Sequence, residues 1–285
     1  MTNNLDVLTD SSKNHSTSIF LSILLDMNGF SFYISGANDL PDARKQGAYS
    51  FDNTEKNLKE LAYFLKKKLR IIDHGLKITK VELVYNHHLF ALVPQEVFDP
   101  KFSKDYLKYT TQTFETDIFK HDVISNTGIV SVFIPLMNIH NLLLKRYGAF
   151  EYKHISSYTL TSELNKKVFR SSLGLESHQK NLSLETESDF YTQLSIWCFD
   201  SHIVIKGSCN HQLIFYNNFD FLSLIDIVYY VLHVLNDQNI EAQKSVIVLY
   251  QSCNEELLQL LQKYITPNVS FTLTSAQIHY QIHQL

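Results

Sequence analysis

The feature that most constrains the fold is one ordered set of strand and helix signals that occurs twice. Ser18 to Met27 and Phe30 to Ser35 read as strands joined at Asn28-Gly29, a pair that supplies positive φ at both positions of a tight hairpin turn. Phe30, Phe32 and Ile34 alternate with Ser31, Tyr33 and Ser35, so the hairpin has one apolar face. A third short strand is expected within Gln46 to Phe51. Asn53 is expected to cap a helix running to about Arg70, where Leu58, Leu61, Leu65 and Leu69 form one buried stripe. A strand follows at Lys80 to Asn86. The second half repeats this order. Phe190 to Phe199 and His202 to Gly207 turn at Asp200-Ser201, and a third strand spans His211 to Tyr216. Ser223 with Asp226 resembles a capping box that opens a helix to about Asn236, and Lys244 to Tyr250 is again a strand. Corresponding elements are offset by about 170 positions, which points to a duplicated unit of three strands, a helix and a returning strand.

Between the two sets lie a short strand at Leu89 to Val93, a helix around Ser103 to Thr111, and a hairpin made of Ile118 to Ser125 and Ile129 to Ile134. Pro135 ends that hairpin, Met137 to Tyr147 reads as a helix stopped by Gly148, and Phe150 to His154 is extended. A helix from about Ser157 to Phe169 leads into a polar connector, Ser171 to Ser188. After Tyr250 come a helix at Asn254 to Tyr264 and a strand at Val269 to Leu273. The expected organisation is a flexible tail over 1–17, a first half over 18–156, a crossing helix and connector over 157–189, and a second half over 190–285.

Composition narrows the function classes. Of 285 residues, 45% are hydrophobic and 19% charged, enough apolar material for two ordinary cores. The formal net charge is -4, from 25 basic and 29 acidic side chains, so no global field attracts phosphate backbones or an anionic membrane. Direct nucleic-acid binding is not expected. The basic run Lys66-Lys67-Lys68 with Arg70 closes a helix, where cations suit the negative end of the dipole. The most apolar stretch, Phe219 to Leu235, is interrupted by Asp220, Asp226 and His233 and is too short to span a membrane, so it reads as a buried helix. The polar start, Met1 to Ser18, lacks the pattern of a signal peptide. Three cysteines, Cys198, Cys209 and Cys253, show no C-x-x-C spacing and read as reduced, mostly buried thiols. These features place the protein in the cytoplasm.

Two three-strand meanders, each with a helix and a returning strand, match the ribonuclease-H-like unit that is doubled in actin, sugar kinases and the Hsp70 ATPase domain. Several runs add a more specific likeness: Asp105-Tyr106-Leu107-Lys108, Val132 through Asn141, Gly148 through His154, Phe215 through Phe219, and Asp226 through Tyr230. They resemble an uncharacterised Bacteroidetes family, domain of unknown function 3822. The resemblance implies an α/β protein with an actin-like ATPase fold, built from two ribonuclease-H-like halves with mixed sheets. It carries no established activity.

Actin-type ATPases set two hairpin turns around the phosphates, rich in Gly, Ser and Thr so that backbone N–H groups reach the anion. The equivalents here are Asp26-Met27-Asn28-Gly29 and Asp200-Ser201-His202, so Asp26, Asn28, Gly29, Asp200, Ser201 and His202 are the nucleotide-binding candidates. The adenosine-side turn would be Gln251-Ser252-Cys253-Asn254, without glycine. A chain of this length with roughly 7% glycine carries about 20. This one carries 8. Asp26 and Asp200 therefore read as ordinary turn residues rather than carboxylates that organise Mg²⁺.

Other constellations are weaker. His87-His88 follow a strand end, where neighbours on extended chain point to opposite faces and do not easily share a metal, so a turn is their expected place. His279 and His283 have helical i, i+4 spacing but no third ligand nearby. No G-x-S-x-G or Cys–His arrangement occurs, Cys198 sits within a strand, and Trp197 reads as core. Asn138, His140 and Asn141, with Tyr152 and His154, form the expected partner or ligand surface. The reading is a non-catalytic binding or scaffold protein whose partner is another protein, with no cofactor. The alternative is an ATPase or small-molecule kinase using ATP with magnesium through Asp26 or Asp200.

Overall fold

The computed structural model describes residues 19–36, 45–51, 57–161, 192–210, 212–241, 245–251, 253, 255–265 and 270–274. The expected tail, the Asn53 cap, the connector, the bulk of the helix to Phe169, and His279 with His283 lie outside these residues.

Five strands build the first sheet: β1 (Ile19–Asp26), β2 (Gly29–Gly36), β3 (Lys45–Ser50), β4 (Ile78–Tyr85) and β8 (Glu151–His154), in the order β3-β2-β1-β4-β8. The first three form an antiparallel meander, and β4 and β8 add in parallel. A second sheet repeats this order with β9 (Thr192–Cys198), β10 (His202–Cys209), β11 (Gln212–Asp220), β12 (Ser245–Gln251) and β13 (Ser270–Thr274), arranged β11-β10-β9-β12-β13. The duplicated strand order expected from the sequence is thus present in the hydrogen bonding. Between β4 and β8 the chain makes a separate antiparallel sheet, β5-β7-β6, from β5 (Phe90–Pro94), β6 (Lys120–Ile124) and β7 (Ile129–Phe133). The short helix α2 (Ser103–Leu107) buries Leu107 against it.

Helices cover one face of each large sheet. α1 (Leu58–Ile72) buries Leu61, Leu65, Leu69 and Ile72, and α3 (Met137–Tyr147) buries Ile139 and Leu143 in the same core. The cap of α1 is Asn57, whose side chain accepts from Lys59 N at 3.1 Å and Glu60 N at 3.4 Å. The expected cap at Asn53 is therefore four residues early, since the side-chain oxygen must reach the N–H groups two and three residues on. Over the second sheet lie α5 (Leu224–Asp237) and α6 (Glu255–Tyr264). At the start of α5 the Asp226 carboxylate accepts from Ser223 N at 2.9 Å and Leu222 N at 3.0 Å. The expected buried helix is buried on one face alone: Ile227, Val228, Val231, Val234 and Leu235 enter the core, while Tyr229 is 62% exposed.

The other faces of the two sheets meet each other. Phe20 and Leu24 of β1, Val84 of β4, Trp197 of β9, Val204 of β10 and Val246, Val248 and Tyr250 of β12 form a shared core. Strands buried on both faces explain why β1, β9 and β10 lack clean polar alternation. Trp197 stacks on Tyr250 with ring centroids 4.6 Å apart, so it is core, as its strand setting suggests.

One short helix ties the three sheets together. In α4 (Ser156–Thr159), Ser156 Oγ lies 2.7 Å from Ser131 Oγ of β7, and Ser157 Oγ donates to Asp122 Oδ2 of β6 at 3.0 Å. The Tyr158 hydroxyl donates to Glu82 of β4. Thr159 Oγ1 is 2.8 Å from the Tyr216 hydroxyl of β11, and its carbonyl accepts from Lys206 Nζ of β10 at 3.2 Å. Burial raises the Glu82 carboxyl above its ordinary value, against the hydrogen bond from Tyr158. Every residue of this helix is thus a cross-link, which is how a four-residue turn holds its place.

The cysteines depart from expectation. Cys198 and Cys253 form a disulfide, with Cα atoms 5.5 Å apart and a sequence separation of 55. The cause is sheet order: β9 and β12 pair in parallel with Cys198 opposite Gln251, so Cys253 comes back over the end of β9. Residue spacing alone carries no information on that adjacency. Cys209 is a free, partly exposed cysteine.

Candidate functional site

The two hairpin turns singled out as phosphate-loop equivalents come together where the sheets meet. The first turn departs from its expected form. Asp26 pairs with Gly29 across the ladder, so Met27 and Asn28 are the turn residues, and neither has positive φ. The Asp26 carboxylate shapes the turn instead, with Oδ1 accepting from Asn28 N at 3.3 Å. This is an Asx-type turn, in which a side chain does what positive φ does elsewhere. Gly29 opens β2, and a Cβ there would sit 2.2 Å from the Tyr49 carbonyl oxygen of β3. Its lack of a side chain is required by the neighbouring strand. The second turn is at Asp200-Ser201 as expected, closed by Phe199 N donating to His202 O at 2.9 Å.

Asp26 Oδ2 lies 3.1 Å from His202 Nδ1, and Ser201 Oγ donates to Asp26 Oδ1 at 3.5 Å. A carboxylate only accepts, so Nδ1 carries a proton. The other ring nitrogen is 3.0 Å from Asn86 Oδ1. Asn86 follows β4 and is held by its own N–H donating to Leu25 O at 2.8 Å. Phe199 stacks on the His202 ring at 5.0 Å. The side chains of His202 and Asp26 are 6% and 17% exposed, so the contact is largely buried. Burial pushes the Asp26 carboxyl up, but the His202 hydrogen bond and charge, with the Asn28 and Met27 N–H groups, bring it below its ordinary value.

Asp26→Asn is expected to lower stability at neutral pH by about 2 kcal/mol, the range of a hydrogen bond to a charged group. Because the folded-state pKa is depressed, this contribution is present above pH 3.8 and lost as pH falls through the folded value. Urea unfolding of both proteins at neutral pH and at about pH 2 checks this, and an equal gap at both pH values would refute it.

Among the remaining candidates, Asp200 is exposed at its turn. Asn138 and Asn141 are exposed on α3, while His140 and Tyr152 are half-buried with ring centroids 4.8 Å apart. His154 does not belong to a surface: it is fully buried. Ser156 N donates to its Nδ1 at 3.2 Å, so its proton sits on Nε2, which donates to His87 O at 2.8 Å. Phe90 stacks on this ring at 4.4 Å. Burial holds His154 well below the ordinary imidazole range and lowers His87 to about 4, so both rings are neutral at neutral pH. His87 and His88 lie in the bend after β4, as expected, with His87 buried and His88 exposed.

Cys253, in the adenosine-side turn, is drawn into the core by its disulfide; Ser252 and Asn254 lie outside the described residues. Among the described residues no group of three or more His, Cys, Asp or Glu side chains is arranged to hold a metal ion. A cation at Asp26 would have to displace His202. Asn86 was missed by the sequence reading; the signal was a polar Asn-His-His run directly after the apolar strand β4. No described helix is long and apolar enough to cross a membrane.

Solved structures share this architecture. A Bacteroides thetaiotaomicron VPI-5482 protein with an actin-like ATPase fold and unknown function matches with a TM-score of 0.68 at 18% identity, covering 93% of this chain and 94% of that one. A chain of the PilM-PilN type IV pilus biogenesis complex matches with a TM-score of 0.55 at 8% identity, covering 90% and 88%. No curated protein matches the chain. The fold is therefore the actin-like ATPase fold, with mixed α/β sheets. The model of a family described as proteins of unknown function, DUF3822, matches residues 9–267, and the chain belongs to that family.

Proposed function

We propose that the protein is a non-catalytic binding or scaffold protein in which the actin-like shape is kept and the phosphate cradle is replaced by a side-chain contact within the chain, between its two turns. The observation that carries this reading is the Asp26–His202 contact, with Ser201 and Asn86 completing it. The carboxylate that a Mg²⁺-nucleotide site needs is already taken by a cationic or hydrogen-bonding partner from the opposite turn. The one glycine of the first turn is accounted for by the approach of β3, and the third turn is tied to β9 through Cys198. Among the described residues of these turns, no glycine-rich stretch remains to wrap an anion. The partner is another protein, and the exposed Asn138 and Asn141 on α3, beside His140 and Tyr152, are its contact surface. That the fold also occurs in a type IV pilus biogenesis complex agrees with a role in assembly.

Calorimetric titration with ATP and Mg²⁺, with a thermal-shift screen of nucleotides, is expected to show no binding heat and no stabilisation. Binding tighter than about 100 μM that is lost in Asp200→Ala would overturn the reading and restore the ATPase alternative.

A further inference from the structure

The outer helix layers of the two halves carry opposite charge. α1 presents Lys59, Tyr63, Lys66, Lys67 and Arg70 on the side away from its buried leucines, and all five are exposed. Glu60 is the one acidic residue of this helix. α3 packs beside it, with Arg146 Nε donating to Asp73 Oδ2 at 2.8 Å where the two helices end; it has no acidic residue and adds the exposed Lys145. The layer over the second sheet is the reverse, since α5 and α6 carry Asp226, Asp237, Glu255 and Glu256 against Lys263 alone. Because the inner faces of the sheets meet, these layers lie on opposite outsides of the molecule, and the net charge of -4 conceals a separation of charge. The dipole of α1 does not account for its cations: that field is confined to the last turn, which holds Arg70 but not Lys59, Lys66 or Lys67. Among the described residues none of these four cations is in an ion pair.

We infer that the α1 face docks on the surface of an anionic lipid bilayer. Charge complementarity sets the sign of the occupant, and the arrangement of the face selects its kind. The cations are spread along about three turns of one helix rather than converging on a point, so they match a distributed negative charge and not a single phosphate or carboxylate. Apolar groups stand among them: Tyr63 and Ile71 of α1 are 71% and 64% exposed, and Leu144 of α3 is 48% exposed. Such groups gain by entering a headgroup layer, while lysine stems lie along it and keep their ammonium groups at the phosphates. A nucleic-acid backbone would take the cations and leave Ile71 and Leu144 in water. The acidic layer on the far side fixes the orientation, because an anionic surface repels it while attracting α1. The global balance of charge therefore gives no attraction to a membrane, whereas one face of the folded chain does.

Cosedimentation of the full chain with vesicles is the test, using phosphatidylcholine alone and phosphatidylcholine with about 30% phosphatidylserine. The expected result is binding to the anionic vesicles alone at about 0.1 M salt, lost at about 0.5 M. Lys66→Glu with Lys67→Glu changes exposed sites, so the fold is kept, by far-UV circular dichroism, and binding weakens at least about tenfold. Tyr63→Gln with Ile71→Gln leaves the charge unchanged and weakens binding through the lost apolar contact. Lys101→Glu with Lys104→Glu makes the same change of net charge at exposed positions beside the third sheet, and binding is retained. No binding to anionic vesicles overturns the proposal and leaves an acidic protein as the partner of this face. Indifference to either pair of α1 substitutions, or an equal loss in the Lys101 and Lys104 variant, overturns it as well.

Discussion

Gly29→Ala is expected to destabilise the protein by about 3 kcal/mol, at the upper end for overpacking a closely fitted site. The new methyl group would lie 2.2 Å from the Tyr49 carbonyl oxygen and 3.1 Å from the Ser50 Cα. Both atoms belong to the backbone of β3, which has no flexible side chain to move aside. β3 is pinned there by its ladder to β2 and by Phe51 N donating to Asn28 O at 2.6 Å. Relief requires β3 to separate from β2, which sacrifices hydrogen bonds at the edge of the first sheet. Equilibrium urea unfolding is the measurement. An Ala variant within about 1 kcal/mol of the natural chain would show that Gly29 is kept for another reason, and the phosphate-loop reading of this turn would regain force.

Lys206→Met should act in the opposite direction. Lys206 is 4% exposed on the face of β10 turned toward the first sheet, and its ammonium donates to one main-chain carbonyl, that of Thr159. Burial lowers its pKa from 10.5 to about 8. The sign follows from proton linkage: between these values the unfolded chain holds more protons than the folded one, so stability rises with pH through that window. Below about pH 8 the full penalty is present, roughly 3 kcal/mol for a shift of this size. Methionine keeps the length of the stem and removes the charge, at the cost of one hydrogen bond worth about 1 kcal/mol. The expected net gain is about 2 kcal/mol at pH 7, shrinking as pH approaches 10. Denaturation of both proteins at pH 7 and at about pH 10 checks both parts. A variant less stable than the natural chain at pH 7 would mean that the ammonium has a further partner that outweighs its burial.

Lys206 also illustrates why two halves with the same strand order are not equivalent. Its register neighbours are Ser195 on β9 and Tyr216 on β11, and Tyr216 reaches α4 through Thr159. The face shared by the two sheets is thus partly polar, and α4 is where its polar groups find partners. A sequence reader sees Ser156-Ser157-Tyr158-Thr159 as the start of a helix. Its role as a cross-link between β4, β6, β7, β10 and β11 depends on residues that lie between about 25 and 76 positions away.

Much of the fold was legible because it rests on local physics. Alternating apolar residues in Phe30 to Ser35, the leucine stripe from Leu61 to Leu69 and the Ser223–Asp226 start of α5 are each written within a few residues, and duplication follows from their order. The family was legible for the same reason, through short runs such as those around Pro135 and Tyr152. The two turns that make the candidate site were also visible as turns, along with the poverty of glycine in them. What only the tertiary structure decided is how groups far apart in the chain meet: Asp26 with His202, Asn86 behind them, Cys198 with Cys253, and the burial of His154. Turn chemistry is set by neighbours in sequence, whereas a contact between turns is set by sheet order, strand register and the angle at which two cores pack. Those are properties of the whole chain, and no single segment encodes them.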